Sequence, residues 1–310
     1  MKKYFKRFSV VAGLSLALLA AGCGTNEENT SETPTDEENG ASEEVVGSVG
    51  EQLDYTITGI DAGAGLMAAT ESVLEEYALE GYTLLASSDA AMTAALAAAY
   101  ENEEPIVVTG WTPHWKFAKY DLKYLEDPKG IFGASETINT IARLGLDEDH
   151  PSAYEVLDNF FWEQDDMGEI MIAVNEGADP VDAAADWVAN NQDTVSTWTD
   201  GVAEVDGDEF TLAFVAWDSE IASTHMIAKV LEDIGYNVNL VSLNGAHMWT
   251  AVSTGDADAI VAAWLPLTHA TYYEDYEGEF VDLGPNLEGA GIGLVVPAYM
   301  DIDSIEDLNN

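Results

Sequence analysis

The sequence has a single cysteine, Cys23, in 310 residues, so no disulfide can form within the chain. Positive charge is almost as scarce: ten Lys and Arg stand against 58 Asp and Glu, a net charge of −48. A chain so poor in basic residues cannot offer the surface that nucleic acid or an anionic membrane requires. Catalytic signatures are missing too. There is no G-x-S-x-G elbow, no P-loop and no H-E-x-x-H, and the one cysteine lies in the N-terminal leader. None of the histidines falls at metal-ligand spacing from another. No enzyme chemistry, no cofactor and no metal is therefore expected. The many carboxylates make acid pairs inevitable by chance, so such pairs carry no weight for a hydrolase.

What is present begins with an address. Lys2, Lys3, Lys6 and Arg7 precede an apolar run from Phe8 to Ala21, which is the layout of a secretory signal and too short for a membrane span. The run ends Leu19-Ala20-Ala21-Gly22-Cys23 and resembles the bacterial lipobox, in which cleavage leaves the cysteine N-terminal and lipid-modified, palmitate included. Residues 1–23 are thus expected to be a signal peptide, and the mature protein to be held at the extracellular face of the cytoplasmic membrane by lipid alone. Residues 24–51 are acidic and rich in Ser, Thr and Gly, and read as a disordered tether. Once the leader is removed, only six basic residues remain against the same 58 acids. At molar salt the screening length shrinks to about 3 Å, so such self-repulsion becomes local. The charge reads as adaptation to a saline, halophilic or alkaline medium, and says little about a ligand.

Beyond the tether, strand and helix patterns alternate with short links, implying a parallel sheet covered on both faces. YTITGI, YTLLASS and PIVVTG read as strands around two helices, the second capped by Ser88 or Asp89. From about Thr140 to Gly201 the pattern is helical, with Asp179-Pro180 as N-cap and first turn. Trp162, Trp187 and Trp198 recur there at amphipathic spacing and are expected to be core. Alternation then resumes through FTLAFVAW, YNVNLVSL, DAIVAAW and GIGLVVP. The fold class is α/β, as two lobes with a cleft between them.

Three other tryptophans, Trp111, Trp217 and Trp264, each close a buried strand pattern, where α/β folds place ligands. Rim or core packing is the ordinary role of one such ring; three in the same context point to a cage. Indole faces attract a cation by about 0.5–2 kcal/mol per ring. A quaternary ammonium suits them because it has no N–H to satisfy. Gly63-Ala64-Gly65-Leu66 lies between a strand and a helix, where free N–H groups attract an anion. It lacks the third glycine of a dinucleotide fingerprint. His269 can donate to a carboxylate, His114 is either a polar contact or a packing residue, and His225 and His247 sit in helical patterns.

At these residues a resemblance becomes specific. GWTPHW, VAWDSEIAST, AAWLP-THA and the terminal LVVPAYM…SIEDL resemble the glycine betaine-binding lipoproteins of Gram-positive osmoprotectant ABC importers, from about Ile57 to the C-terminus. The resemblance implies a two-lobed, type II-like periplasmic-binding-protein fold, with residues 52–140 and 295–310 in one lobe and 141–294 in the other. It implies a trimethylammonium cage of Trp111, Trp217 and Trp264, and a carboxylate receptor formed by the N–H groups of Gly65 and Leu66 with His269 as donor. Choline-binding relatives carry an aspartate two residues after the tryptophan matching Trp217. This chain has Ser219, which favours a zwitterion. The expectation is a monomeric receptor that passes glycine betaine, and proline betaine, to a permease and its ATPase. The alternative from another class is an exported hydrolase of a quaternary ammonium ester.

Overall fold

The computed structural model describes residues 47–310; the leader, Cys23 and most of the expected tether lie outside the described residues. The first element is a helical turn, α1 (Val49–Gln52), closed by a capping box between Ser48 and Glu51. Its Val49 N–H donates to the Asn310 carbonyl at 2.8 Å. Residues 48–51, read as tether, therefore belong to the folded body. The short S-V-G-E cap is hidden in an acidic run whose composition alone suggests coil.

Next come β1 (Thr56–Thr58), α2 (Gly65–Glu76), β2 (Thr83–Leu85), α3 (Asp89–Glu101) and β3 (Val107–Thr112). The three strands lie parallel in the order β2-β1-β3. Helix α3 begins as the sequence predicts, with the Ser88 hydroxyl accepting from the Ala91 N–H at 3.2 Å. Its Met92 and Leu96 are fully buried. After α4 (Lys116–Lys119), β4 (Leu122–Tyr124) and β5 (Glu136–Arg143), four helices follow a short turn, α5 (Leu146–Asp149). They are α6 (Pro151–Asn159), α7 (Gln164–Asn175), α8 (Pro180–Asn190) and α9 (Gln192–Thr199). Trp162, Trp187 and Trp198 are buried among them, as their spacing suggests. Trp187 meets Trp162 edge-on at 5.6 Å and stacks with Trp198 at 6.2 Å.

The second α/β run comprises β6 (Glu209–Phe214), α10 (Asp218–Asp233), β7 (Asn237–Ser242), α11 (Gly245–Thr254) and β8 (Ala259–Leu265). The chain ends with α12 (Ala270–Asp275), the 18-residue β9 (Phe280–Pro297) and a 3-10 turn over Ile305–Asn309. All strands but β4 fall in the order β2-β1-β3-β9-β5-β8-β6-β7. Strand β9 is the centre of that order and changes partner along its length. Residues from Phe280 to Ala290 run antiparallel to β5, whereas Gly291–Val295 run antiparallel to β3. The sheet is thus mixed rather than parallel. Two strands account for the difference. β5 (ETINTIAR) mixes polar and apolar residues, and the first half of β9 is interrupted by Gly284, Pro285 and Gly289, so neither shows an apolar run. No helix among the described residues is long and apolar enough to cross a membrane.

Candidate ligand-binding site

The site is built where strands end. Trp111 and Trp264 are the penultimate residues of β3 and β8, and Trp217 is the N-cap residue of α10. All three are more than nine-tenths buried. Their indoles line one cavity together with Ile60, Ala64, Gly65, Leu66, Glu220, Thr268 and Ile292. Trp111 and Trp217 have ring centroids 6.4 Å apart, tilted by 52°. Five of the six residues singled out from the sequence therefore meet at one place.

Each indole N–H is tied to a polar side chain, which fixes the plane of its ring. Trp111 Nε1 donates to Ser219 Oγ at 3.0 Å, and Trp217 Nε1 to Asp61 Oδ2 at 3.0 Å. Trp264 Nε1 donates to Glu220 Oε1 at 2.8 Å, and Ser219 Oγ donates to Glu220 Oε2 at 2.5 Å. Ser219 and Glu220 thus link two of the rings in one chain of hydrogen bonds. Burial pushes the Glu220 carboxyl up to about 7, with the donors Ser219 and Trp264 opposing. Glu220 escaped the sequence reading because Asp-Ser-Glu at a helix start is ordinary first-turn chemistry. The signal that could have found it is its spacing, three residues after Trp217 and so one helical turn on.

Helix α2 starts at Gly65 behind an N-cap, Ala64, that offers no side-chain acceptor. Among the described residues nothing accepts from the N–H of Gly65 or Leu66, so two orphan donors of a helix N-terminus lie at the cavity wall. Gly65 is required by space: a Cβ there would stand 1.9 Å from the Thr268 carbonyl oxygen. Thr268 is itself held in place. Glu136 Oε1 accepts from the N–H groups of Leu267 and Thr268, both at 2.8 Å, and Oε2 from the Thr268 hydroxyl.

His269, the sixth residue, is 1% exposed and is not among the cavity walls. Its Nδ1 accepts from the Trp264 N–H at 3.1 Å, and burial holds its pKa down to about 4. The neutral ring therefore carries its proton on Nε2. His114 is a packing residue: it is buried, meets Trp111 edge-on at 4.7 Å, and does not line the cavity.

A second polar cluster lies behind Trp111. Asp89, His114 and Asp218 bring one oxygen or nitrogen each within 4.8 Å of one another, a grouping their distance in sequence conceals. Lys116 shares their neighbourhood, with its Nζ fully buried and 4.3 Å from the Trp111 ring centre. Burial lowers the lysine to about 7, while Asp89 and Asp218 hold it up in part. Burial and the Lys116 charge likewise keep His114 down, at about 4. Burial works against the Asp89 carboxylate, but His114, the Asp218 N–H and the Lys116 charge together hold it below its ordinary value.

The arrangement can enclose a cation in three electron-rich faces and offer two N–H donors to an anion nearby. The chain belongs to the family of substrate-binding domains of ABC-type glycine betaine transport systems, whose pattern matches residues 35–190 and 208–310. Its relatives are binding proteins of transporters, not enzymes. It is 57% identical to the glycine betaine/carnitine transport binding protein GbuC of Listeria monocytogenes over 263 residues, 84% of this chain and 88% of that one. The crystal structure of lactococcal OpuAC, closed-liganded and complexed with glycine betaine, is 50% identical over 47% of this chain and 58% of its own, with a TM-score of 0.46. A glycine betaine, L-proline-binding protein (ProX) from Borrelia burgdorferi is 38% identical over 48% and 57%, also with a TM-score of 0.46.

Proposed function

We propose that the protein is the extracellular receptor of an osmoprotectant importer and captures glycine betaine in this cavity. The trimethylammonium group packs on Trp111, Trp217 and Trp264, each ring contributing about 0.5–2 kcal/mol. The ligand carboxylate takes the N–H groups of Gly65 and Leu66; His269, expected as a third donor, stands outside the cavity walls and holds the Trp264 N–H instead. What carries the reading is the meeting, in one cavity, of three indole faces with two unbonded N–H groups at a helix start. Ligands with both groups, glycine betaine and proline betaine, fit this better than choline, which has no carboxylate.

We read the chain as two lobes, 52–140 with 295–310 and 141–294; the partner change in β9, between Ala290 and Gly291, falls a few residues before the second crossing. Bonds that join these segments, such as Trp111 to Ser219 and Trp217 to Asp61, support a closed arrangement that opens by a hinge. A lipid on Cys23 tethers the monomer beside its permease. Isothermal titration of the folded protein in high salt tests the reading: glycine betaine and proline betaine bind one to one, and choline at least tenfold more weakly. Absence of binding by every betaine overturns it.

A further inference from the structure

Glu220 is the wall of the cavity that the resemblance leaves without a role. Its carboxylate is buried, with one oxygen accepting from Trp264 Nε1 and the other from Ser219 Oγ. Among the described residues no Lys, Arg or His lies within ion-pair distance of it. A carboxylate taken out of water with two neutral donors and no cation is costly to keep ionised. Packing alone does not call for an acid here, since a glutamine could occupy the same volume. Its surroundings on the cavity side are the faces of Trp111, Trp217 and Trp264 with Ile60 and Ile292, all of which suit a methylated cation.

We propose that the Glu220 carboxylate is the counter-ion of this cavity, supplying the fixed negative charge that the quaternary ammonium group of the ligand neutralises. The inference rests on the reading of the cavity as a betaine site. It makes the site a cage of three rings with one charged wall. It also couples binding to a proton. Burial holds the empty site's Glu220 at about 7, so roughly half of it is protonated at neutral pH. A cation arriving against it favours the ionised form, and the proton leaves to solvent.

The other titratable groups around the cavity are few. Asp89, at the start of α3, raises Glu220 further; Asp218 is two residues before it on α10. Asp61 lies behind Trp217, Lys116 and His114 behind Trp111, and His269 behind Trp264. Burial also lowers Lys116 to about 7, and a cation arriving at Trp111 would drive off its proton as well.

The test is calorimetric titration of glycine betaine into the folded protein at pH 7 in phosphate and in Tris, whose ionisation enthalpies differ. About half a proton from Glu220 is expected to be released per betaine bound, with a further share from Lys116. In Lys116→Met the Glu220 share of the release persists, in the Lys116→Met, Glu220→Gln double variant it vanishes, and in Glu220→Gln alone affinity at pH 8 falls about tenfold or more. No release from the wild-type protein between pH 6 and 8 overturns the proposal, and so does release that survives in the double variant or disappears in Lys116→Met. The wild-type measurement stands even if a variant fails to fold. Failure of the wild-type protein to bind any betaine instead overturns the reading of the cavity, and the counter-ion with it.

Discussion

Tryptophan serves two purposes in this chain, and single substitutions separate them. Trp217 lines the cavity and its N–H is held by Asp61, so Trp217→Ala is expected to weaken betaine binding about 10–30-fold with a smaller loss of stability. Trp187 is buried between Trp162 and Trp198, so Trp187→Ala is expected to lower stability by about 3–5 kcal/mol and leave the affinity of the folded fraction unchanged. Urea melts beside titrations check both; the reverse pattern would exchange the roles. The buried bases give a second prediction. His114 and His269 are both held near 4, below the ordinary 6.5, so each favours the folded state above pH 6.5 and loses that contribution as pH falls toward 4. The loss is on the order of 1–3 kcal/mol for each ring, and a urea midpoint that stays level from pH 6.5 to 4 would contradict it. Glu220 acts with the opposite sign: its raised pKa favours the empty folded state below pH 4.5 and that advantage is lost as pH rises through 7. At this scale the tryptophans were legible because each closes an apolar run. Glu220 and the Asp89–His114–Asp218–Lys116 cluster were not, because their neighbours come from distant segments.

The elements that were legible are those whose pattern is local. Helix α3 announces itself through Ser88 and an alanine-rich apolar face, and α8 through Asp179-Pro180, whose carboxylate accepts from the Val181 N–H at 2.9 Å. β5 and the first half of β9 depend instead on each other for their pairing. The junction of α2 with the β8–α12 link shows how tightly elements are matched. Gly65 lies against the Thr268 carbonyl, and Glu136 pins that link from β5. Gly65→Ala is therefore expected to weaken betaine binding by at least about tenfold, because the link must move or α2 must withdraw its N–H groups. Thermal melting should change less than binding; a variant that binds betaine normally would show that the approach is dispensable.

For the whole molecule the controlling quantity is charge. With 58 acidic residues against ten basic ones, of which only Lys123, Arg143 and Lys229 pair with carboxylates outside the cavity region among the described residues, repulsion works against the compact state. The melting temperature should rise as NaCl is increased from low to molar concentration, and a fall would refute the saline reading. The two runs of alternating strand and helix were legible in the sequence. The strand that joins them was not, since its central place in the sheet is settled by partners more than a hundred residues earlier. That strand also has a consequence for the order in which the molecule is made. β3 and β5 leave the ribosome early, yet both wait for β9, which is completed only at Pro297 of 310 residues. Until then neither group of strands has its shared edge covered, and the contacts still to form are among the most distant in sequence, the slowest kind to close. A nascent chain of this design leaves its central sheet unfinished until β9 has been made.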